Sequence, residues 1–375
     1  NKNGASSGLL QILKEELSHI KKGDAGKHLL FPHSRKKWRD SVVIGARRSP
    51  YFISTEGGDD NRVIKLHQDR IKGRTLSRSA ANLPRTVLSA ANAAESPTVL
   101  CARKEMSSWR ILQLEPSSLR KPDDINASPH LSINGEHLPA NLYRLAQSPV
   151  SNWPSRDMVV DPDFIYSKIA NRLSTLIGDV KKVWVDKDEK REILTLQVQG
   201  NDGTNHPARS LSDGTLRFLA LSILEADATA QGLICLEEPE NGIHPDRIPA
   251  MLHLLQDIAT DPDEPVDETN PLRQIIVNTH SPVVVTEVPD NSLLIAEVKE
   301  DLYKNSRYKK ITFSCLPDDW RTKSPEKAPI ISKGKLLSYL NPASSSALRV
   351  ERALKRVVDR SDLQMLLPFR RGSNE

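Results

Sequence analysis

Two short apolar runs in this chain each end abruptly in polar side chains. Leu233-Ile234-Cys235-Leu236 runs into Glu237-Glu238-Pro239-Glu240, and after Gln274 the run Ile275-Ile276-Val277 runs into Asn278-Thr279-His280-Ser281-Pro282. Apolar runs of this length without alternation suit strands buried on both faces. Helical patterns precede and separate them: Phe218, Leu219, Leu221, Ile223 and Leu224 before the first, and Ile248, Met251, Leu252 and Leu255 between the two. From Leu211 onward the chain therefore predicts an α/β core with a largely parallel sheet. Open sheets of that class bind ligands at the carboxyl ends of their strands, which is where the two carboxylates and the histidine fall.

The first strand end has the layout of a Walker B element. A magnesium ion bridging phosphates needs an oxygen ligand fixed beside them, and water attack on a γ-phosphate needs a second carboxylate to orient the water. Glu237 is assigned to the metal and Glu238 to the water. Adjacent glutamates also occur as solvated charge on helices, but the apolar strand in front and Pro239 behind set this pair apart. His280, at the neighbouring strand end, can hydrogen-bond the γ-phosphate or its attacking water, although a lone histidine is ordinarily structural. Upstream, Leu211-Ser212-Asp213-Gly214-Thr215 opens an apolar helix. Such a helix start offers backbone N–H groups and hydroxyls to an anion. The same residues cap helices for structural reasons alone, and the place of this loop just ahead of the Glu237 strand is what gives the phosphate reading.

Together the three elements resemble the second half of an ABC-type ATPase head: signature loop (Leu211 to Thr215), Walker B (Leu233 to Glu238) and switch histidine (His280). More narrowly, the Leu-Ser-Asp-Gly-Thr, Leu-Glu-Glu-Pro-Glu-Asn-Gly-Ile-His-Pro and Asn-Thr-His-Ser-Pro runs look like bacterial ATPases grouped with RecF, SMC and OLD proteins. The resemblance is specific from Leu211 to Pro282 and extends more loosely through Asn134-Gly135-Glu136-His137-Leu138. It implies ATP and Mg2+ as cofactors and a homo-oligomer of at least two subunits, in which Ser212, Asp213, Gly214 and Thr215 of one subunit close over ATP held by another. Glu240, Asn241 and His244 fall where the D-loop of that family follows Walker B and meets the partner subunit. His244-Pro245-Asp246 reads equally well as a plain helix start.

A P-loop reads G-x-x-x-x-G-K-[ST]. The one candidate is the opening Asn1-Lys2-Asn3-Gly4-Ala5-Ser6-Ser7-Gly8, where Asn3, Gly4, Ser6 and Ser7 are assigned to ATP, yet no Lys-Ser or Lys-Thr pair follows and Ser7 stands near the lysine's place. Three readings stay open: a chain missing residues at its start, a degenerate loop, or a chance likeness. The expectation taken is the first, because Glu237, Glu238 and His280 have little reason to assemble around a dead site.

The remaining sequence is organised around that core. The fold expected is an ABC-type P-loop NTPase head with an antiparallel β-subdomain and an inserted helical and irregular lobe. The divisions are an incomplete or degenerate P-loop and helix over 1–30, an inserted lobe over 31–160, the ATPase core over 161–300 and a C-terminal strand and helix extension over 301–375. Leu9 to Ile20 has helical spacing. Ser41 to Ile44, Tyr51 to Ser54 and Arg62 to Leu66 read as short strands, Val87 to Ala94 as a helix, and the turn-rich stretch after Pro116 as surface. Ile165, Ile169, Leu173 and Leu176 share a helix face stopped by Gly178, and a hairpin follows between Val183 and Val198. Leu293 to Val298 reads as an edge or final core strand, Lys309 to Cys315 as another strand, and Lys335 to Leu340 and Ala347 to Val358 as helices.

No apolar run approaches the roughly 20 residues of a membrane span, and three scattered cysteines fit a reducing cytoplasm. The net charge is +5, with a basic excess in the first fifty residues that permits DNA as a partner and equally describes a solvated surface. No acidic cluster follows the head as in OLD-type nucleases, so a nuclease or other effector is expected to be a separate protein. The leading function is an ATPase whose closure on ATP controls a DNA-directed effector in phage defence or DNA repair. The alternative is a nucleotide-gated scaffold that holds a toxic partner inactive, and a transport ATPase ranks third.

Overall fold

The computed structural model describes residues 12–45, 51–58, 61–69, 75–94, 96–148, 161–303, 306–324 and 328–340. The chain divides into two units, Asn1–Val288 and Pro289–Glu375. The first begins with an antiparallel meander in the spatial order β1 (Leu17–Ser18), β2 (Tyr51–Glu56), β3 (Val63–Leu66) and β4 (Leu76–Ser79). Phe52, Ile53, Ile64 and Leu66 are buried, with Val87 and Val99, in a small core of their own. Between β1 and β2 lie the helical turns α1 (Ala25–His28) and α2 (Asp40–Val42). Helix α3 (Pro97–Ser108) closes the lobe, and Pro97 at its first turn supplies the fixed backbone angle suited to a helix start.

Three local expectations give way here. The described part of the Leu9-to-Ile20 stretch is extended rather than helical. Leu17 pairs with Ile53, Glu15 exchanges hydrogen bonds with Thr55 Oγ1, and the Glu15 carboxylate accepts from the backbone N–H groups of Val87 and Leu88. The edge of β2 thus outbids a helical periodicity that had no buried groove to fill. Ser41 to Ile44 is not a strand, because Ser34 caps a turn over Arg35–Arg39 that buries Trp38 against Phe31 and continues into α2. Around Val87 to Ala94 only the short turn Leu88–Ala90 forms.

The main core follows. It contains β5 (Arg110–Leu112), α4 (Pro116–Leu119), β6 (Asp123–Asp124), α5 (Leu138–Gln147), α6 (Pro162–Ile177), β7 (Lys182–Asp188), β8 (Ile193–Gln199) and β9 (Asn205–Pro207). These are followed by α7 (Asp213–Ala226), β10 (Gly232–Glu237), α8 (Ile248–Ile258), β11 (Arg273–Asn278) and α9 (Pro282–Glu287). The fold is mixed α/β. A parallel sheet in the order β11-β10-β5 stands beside the antiparallel sheet β6-β8-β7, with β9 added on β8. Helix α6 ends at Gly178, at a φ of +68°, as its sequence predicts, and Asp161 caps its start by accepting from Asp163 N–H.

Helix α7 is the centre of this core: Leu216, Phe218, Leu219, Leu221 and Ile223 are buried, and the helix packs against α6, α8, α4 and α5. Strand β5 lies inside the stretch expected to be an inserted lobe, yet it is one third of the parallel sheet. The turn-rich stretch after Pro116 is also less superficial than its composition suggests. Gly135, at φ +87°, turns so tightly that a Cβ there would lie 2.7 Å from Leu119, and Leu119 and Leu131 are both buried. One face of the parallel sheet, carrying Leu112, Ile234 and Leu236, is buried; on the other, Ile111 and Ile276 are exposed.

In the second unit β12 (Ile295–Tyr303) pairs with β13 (Ser306–Ser314), and α10 (Lys333–Leu340) follows. The stretch from Leu293 to Val298 is therefore the first arm of a long hairpin, not an edge or final strand of the core sheet. Nine consecutive rungs with an adjacent chain segment give it a local partner. The helix expected over Ala347 to Val358 lies outside the described residues.

Candidate functional site

Strand pairing decides which polar groups meet. In the parallel ladder Glu237 stands opposite Asn278 and Leu236 opposite Leu112. The residues that follow each strand, Glu238 after β10, Thr279 and His280 after β11 and Gln113 after β5, consequently converge at one end of the sheet. Gln113 Nε2 donates to Glu237 Oε2 at 2.6 Å. Glu238 N–H donates to the carbonyl of Asn278 at 2.8 Å, which carries the sheet pairing one residue past the strand. The Glu238 carboxylate accepts from Asn241 Nδ2 at 2.5 Å and stands 3.8 Å from His280 Nε2.

Glu238 also adopts a φ of +44°. A non-glycine residue in the left-handed region costs roughly 1–3 kcal/mol and persists only where its surroundings fix it. Here the bond to Asn278 on one side and the Glu238–Asn241 turn on the other fix it. The turn aims the carboxylate at His280 rather than along the strand.

Glu240 behaves otherwise than expected. The resemblance implies a partner contact for it, but it is buried at 8% exposure, and Thr279 Oγ1 donates to its carboxylate. It therefore anchors the loop that carries His280. Asn241 and His244 are exposed; His244 Nδ1 accepts from Asp246 N–H at 3.3 Å, so the helix-start reading has its hydrogen bond.

The signature residues form a second surface. Ser212 caps α7: its Oγ accepts from Thr215 N–H at 3.2 Å and lies 2.8 Å from Thr215 Oγ1. Ser212 and Asp213 are exposed, whereas Gly214 and Thr215 are buried. Gly214 lies so close to Gly242 that a Cβ would stand 2.3 Å from the Gly242 carbonyl oxygen. Ser212, Gly214, Thr215, Gly242, His244 and Arg247 line one open pocket of about 480 Å³.

Three further residues join these surfaces. Gln113 follows Arg110-Ile111-Leu112, a strand ending in an amide, which is the same strand-end signal that marked Glu237 and His280. Arg217, one turn into α7, donates to the carbonyls of Leu114 and Asn241. Arg120 donates to the carbonyl of Leu211 and to Asp213. The two arginines have no local signal, because each acts on backbone far away in sequence.

The donor set suits a hard cation held with phosphate. Glu237 presents carboxylate oxygens at the sheet end, and Gln113, whose nitrogen faces them, would present its amide oxygen to a cation there only with the amide turned over. Among the described residues no group of three or more His, Cys, Asp or Glu forms a cage, and magnesium bound through one or two side chains plus substrate phosphates requires none. Asn3, Gly4, Ser6 and Ser7 lie outside the described residues. Of the early basic residues, Lys22, Lys27 and Lys37 are paired with Asp40, Asp24 and Glu264. No helix among the described residues is long and apolar enough to cross a membrane.

Residues 106–286, which carry all of this site, match the family described as "AAA domain, putative AbiEii toxin, Type IV TA system". The span is thus similar to AAA-type ATPase domains. No curated protein matches the chain. Among solved structures, the Smc head domain with a coiled coil and joint from Pyrococcus yayanosii aligns at 7% identity and TM-score 0.26, over 39% of this chain and 26% of that one. A structure concerning ATP-driven dimerization and DNA-stimulated activation of SMC ATPases aligns at 8% identity and TM-score 0.26, over 39% and 81%. The Smc head with an extended coiled coil bound to the C-terminal domain of ScpA from Pyrococcus furiosus aligns at 8% and 0.25, over 39% and 34%. The chain spans about a quarter of the first of these and about a third of the last.

Proposed function

We propose that the chain is an ATP-binding and hydrolysing subunit of ABC type. The observation that carries this reading is the Glu238 carboxylate, held in a left-handed backbone conformation between Asn241 and His280 and beside the Glu237–Gln113 pair. Glu237 and Gln113 would hold the magnesium ion, which supplies charge neutralisation on the phosphates when bound. Glu238 accepts a proton from the water it orients, and His280 donates a hydrogen bond toward the γ-phosphate. Ser212, Gly214 and Thr215, on a separate surface, would close over nucleotide bound by a second copy, so that dimerisation is part of the cycle. A toxin or nuclease partner, with DNA as its target in phage defence or DNA repair, extends this reading; it rests on the motif resemblance and on the toxin–antitoxin description of the matching family.

The test is magnesium-dependent ATP turnover of the protein against Glu238→Gln. A general base typically contributes about 10²–10⁴-fold, so turnover should fall by that order while nucleotide binding remains. Equal turnover in the two proteins removes Glu238 from its role. Tight ATP binding with no turnover in either favours the nucleotide-gated scaffold.

A further inference from the structure

The β12–β13 hairpin has two unlike faces. In its ladder Ala296 pairs with Phe313, Val298 with Ile311, Glu300 with Lys309 and Leu302 with Arg307, and opposite residues of an antiparallel pair point to the same side. That side is exposed along its whole length: Val298, Leu302, Ile311 and Phe313 are 57–67% accessible. The other side is mostly polar. There Glu297 binds Lys335 of α10, while Asp301 binds Lys310 and accepts from Tyr308. A two-stranded ribbon is marginal in water, and here Val298, Ile311 and Phe313 stand adjacent and uncovered, with Leu302 one rung beyond the Glu300–Lys309 pair.

We infer that this apolar face is a docking surface for the same face of a second copy of the chain, formed without nucleotide. The rows are self-complementary in size and in charge. A two-fold axis parallel to the strands lays β12 of one copy over β13 of the other at the same level. Phe313, the largest side chain of the face, then meets Ala296, the smallest. Ile311 meets Val298, the aliphatic stem of Arg307 meets Leu302, and Lys309 meets Glu300 twice, once on each side of the axis. Aligned sheets pack face to face in this way. A partner of single charge sign would leave either Glu300 or Lys309 facing its like, whereas a second copy matches both. This contact is distinct from the nucleotide-dependent closure proposed above and uses none of its residues.

The experiment is sedimentation of the full chain over a range of concentrations with magnesium chelated and no nucleotide. The wild type should show a monomer–dimer equilibrium, and Ile311→Lys should weaken it at least tenfold. Glu300→Lys and Lys309→Glu each place like charges across the axis, and each alone should be monomeric. Their equimolar mixture should regain the dimer, because every contact across the axis is then Lys to Glu; a change inside one hairpin cannot produce that recovery, whatever its effect on folding. A wild type that stays monomeric without nucleotide, or dimerises only with Mg-ATP, overturns the inference, as does a mixture that fails to recover.

Discussion

Gly214→Ala tests the contact between the start of α7 and the turn that follows Glu237 and Glu238. In an exposed helix the substitution stabilises, because alanine is favoured over glycine by about 1 kcal/mol. The structure reverses the sign. A Cβ at position 214 would stand 2.3 Å from the Gly242 carbonyl oxygen, 2.8 Å from its carbonyl carbon and 3.1 Å from Ile243 Cγ1. The first two are backbone atoms and cannot turn aside, and Gly242, at φ +79°, is itself in a conformation few other residues adopt. Overpacking of this kind costs about 1–3 kcal/mol; taking the upper end for a backbone clash and subtracting the helix gain leaves a net loss of about 2 kcal/mol. Urea unfolding should show a midpoint lower by about 1 M at an ordinary m-value. Turnover should fall as well, because Arg217 ties the same helix to the Asn241 carbonyl and so to the turn that aims Glu238. A midpoint that is unchanged or raised would mean that the helix start does not lie on Gly242, and the described arrangement of the two loops would be wrong.

Other substitutions probe the remaining joints. Gln113→Ala should raise the magnesium concentration needed for half-maximal turnover several-fold while leaving the unfolding free energy within about 0.5 kcal/mol of wild type, as expected of an exposed position; an unchanged magnesium curve would detach Gln113 from the metal. Arg217→Ala should lower turnover more than nucleotide affinity, and equal losses in both would argue for a general loosening instead. Asp227→Ala should cost about 3–5 kcal/mol in unfolding free energy, since a buried ion pair broken on one side leaves an uncompensated charge. Asp227 is 3% exposed and accepts from Arg144 and Thr229. Burial already pulls the neighbouring Arg273 guanidinium below its ordinary pKa against the opposing pull of Asp227 and Glu225. A loss under about 1 kcal/mol would place the cluster in water.

The sequence by itself determined the features that depend on neighbours along the chain. The short apolar runs Leu233 to Leu236 and Ile275 to Val277, each with a polar end, specified β10 and β11 and located Glu237, Glu238 and His280 at or just past strand termini. Gly178 bounded α6 at its end because capping is written within one turn of the helix terminus. The alternation from Val183 to Val198 specified the hairpin. What only the tertiary structure decided is pairing. Periodicity does not state which strand lies beside which, so the membership of β5 in the parallel sheet, and with it the place of Gln113 next to Glu237, came from a register spanning more than a hundred residues. The same holds for Leu17, whose helical spacing lost to the free edge of β2, and for Leu293 to Val298, captured by the strand that immediately follows rather than by the core. Glu240 is the sharpest case: its position after the strand suggested an outward role, and only the proximity of Thr279 turned its carboxylate inward. A strand end fixes where a side chain begins, whereas the partner that satisfies it is chosen by contacts far away in the chain.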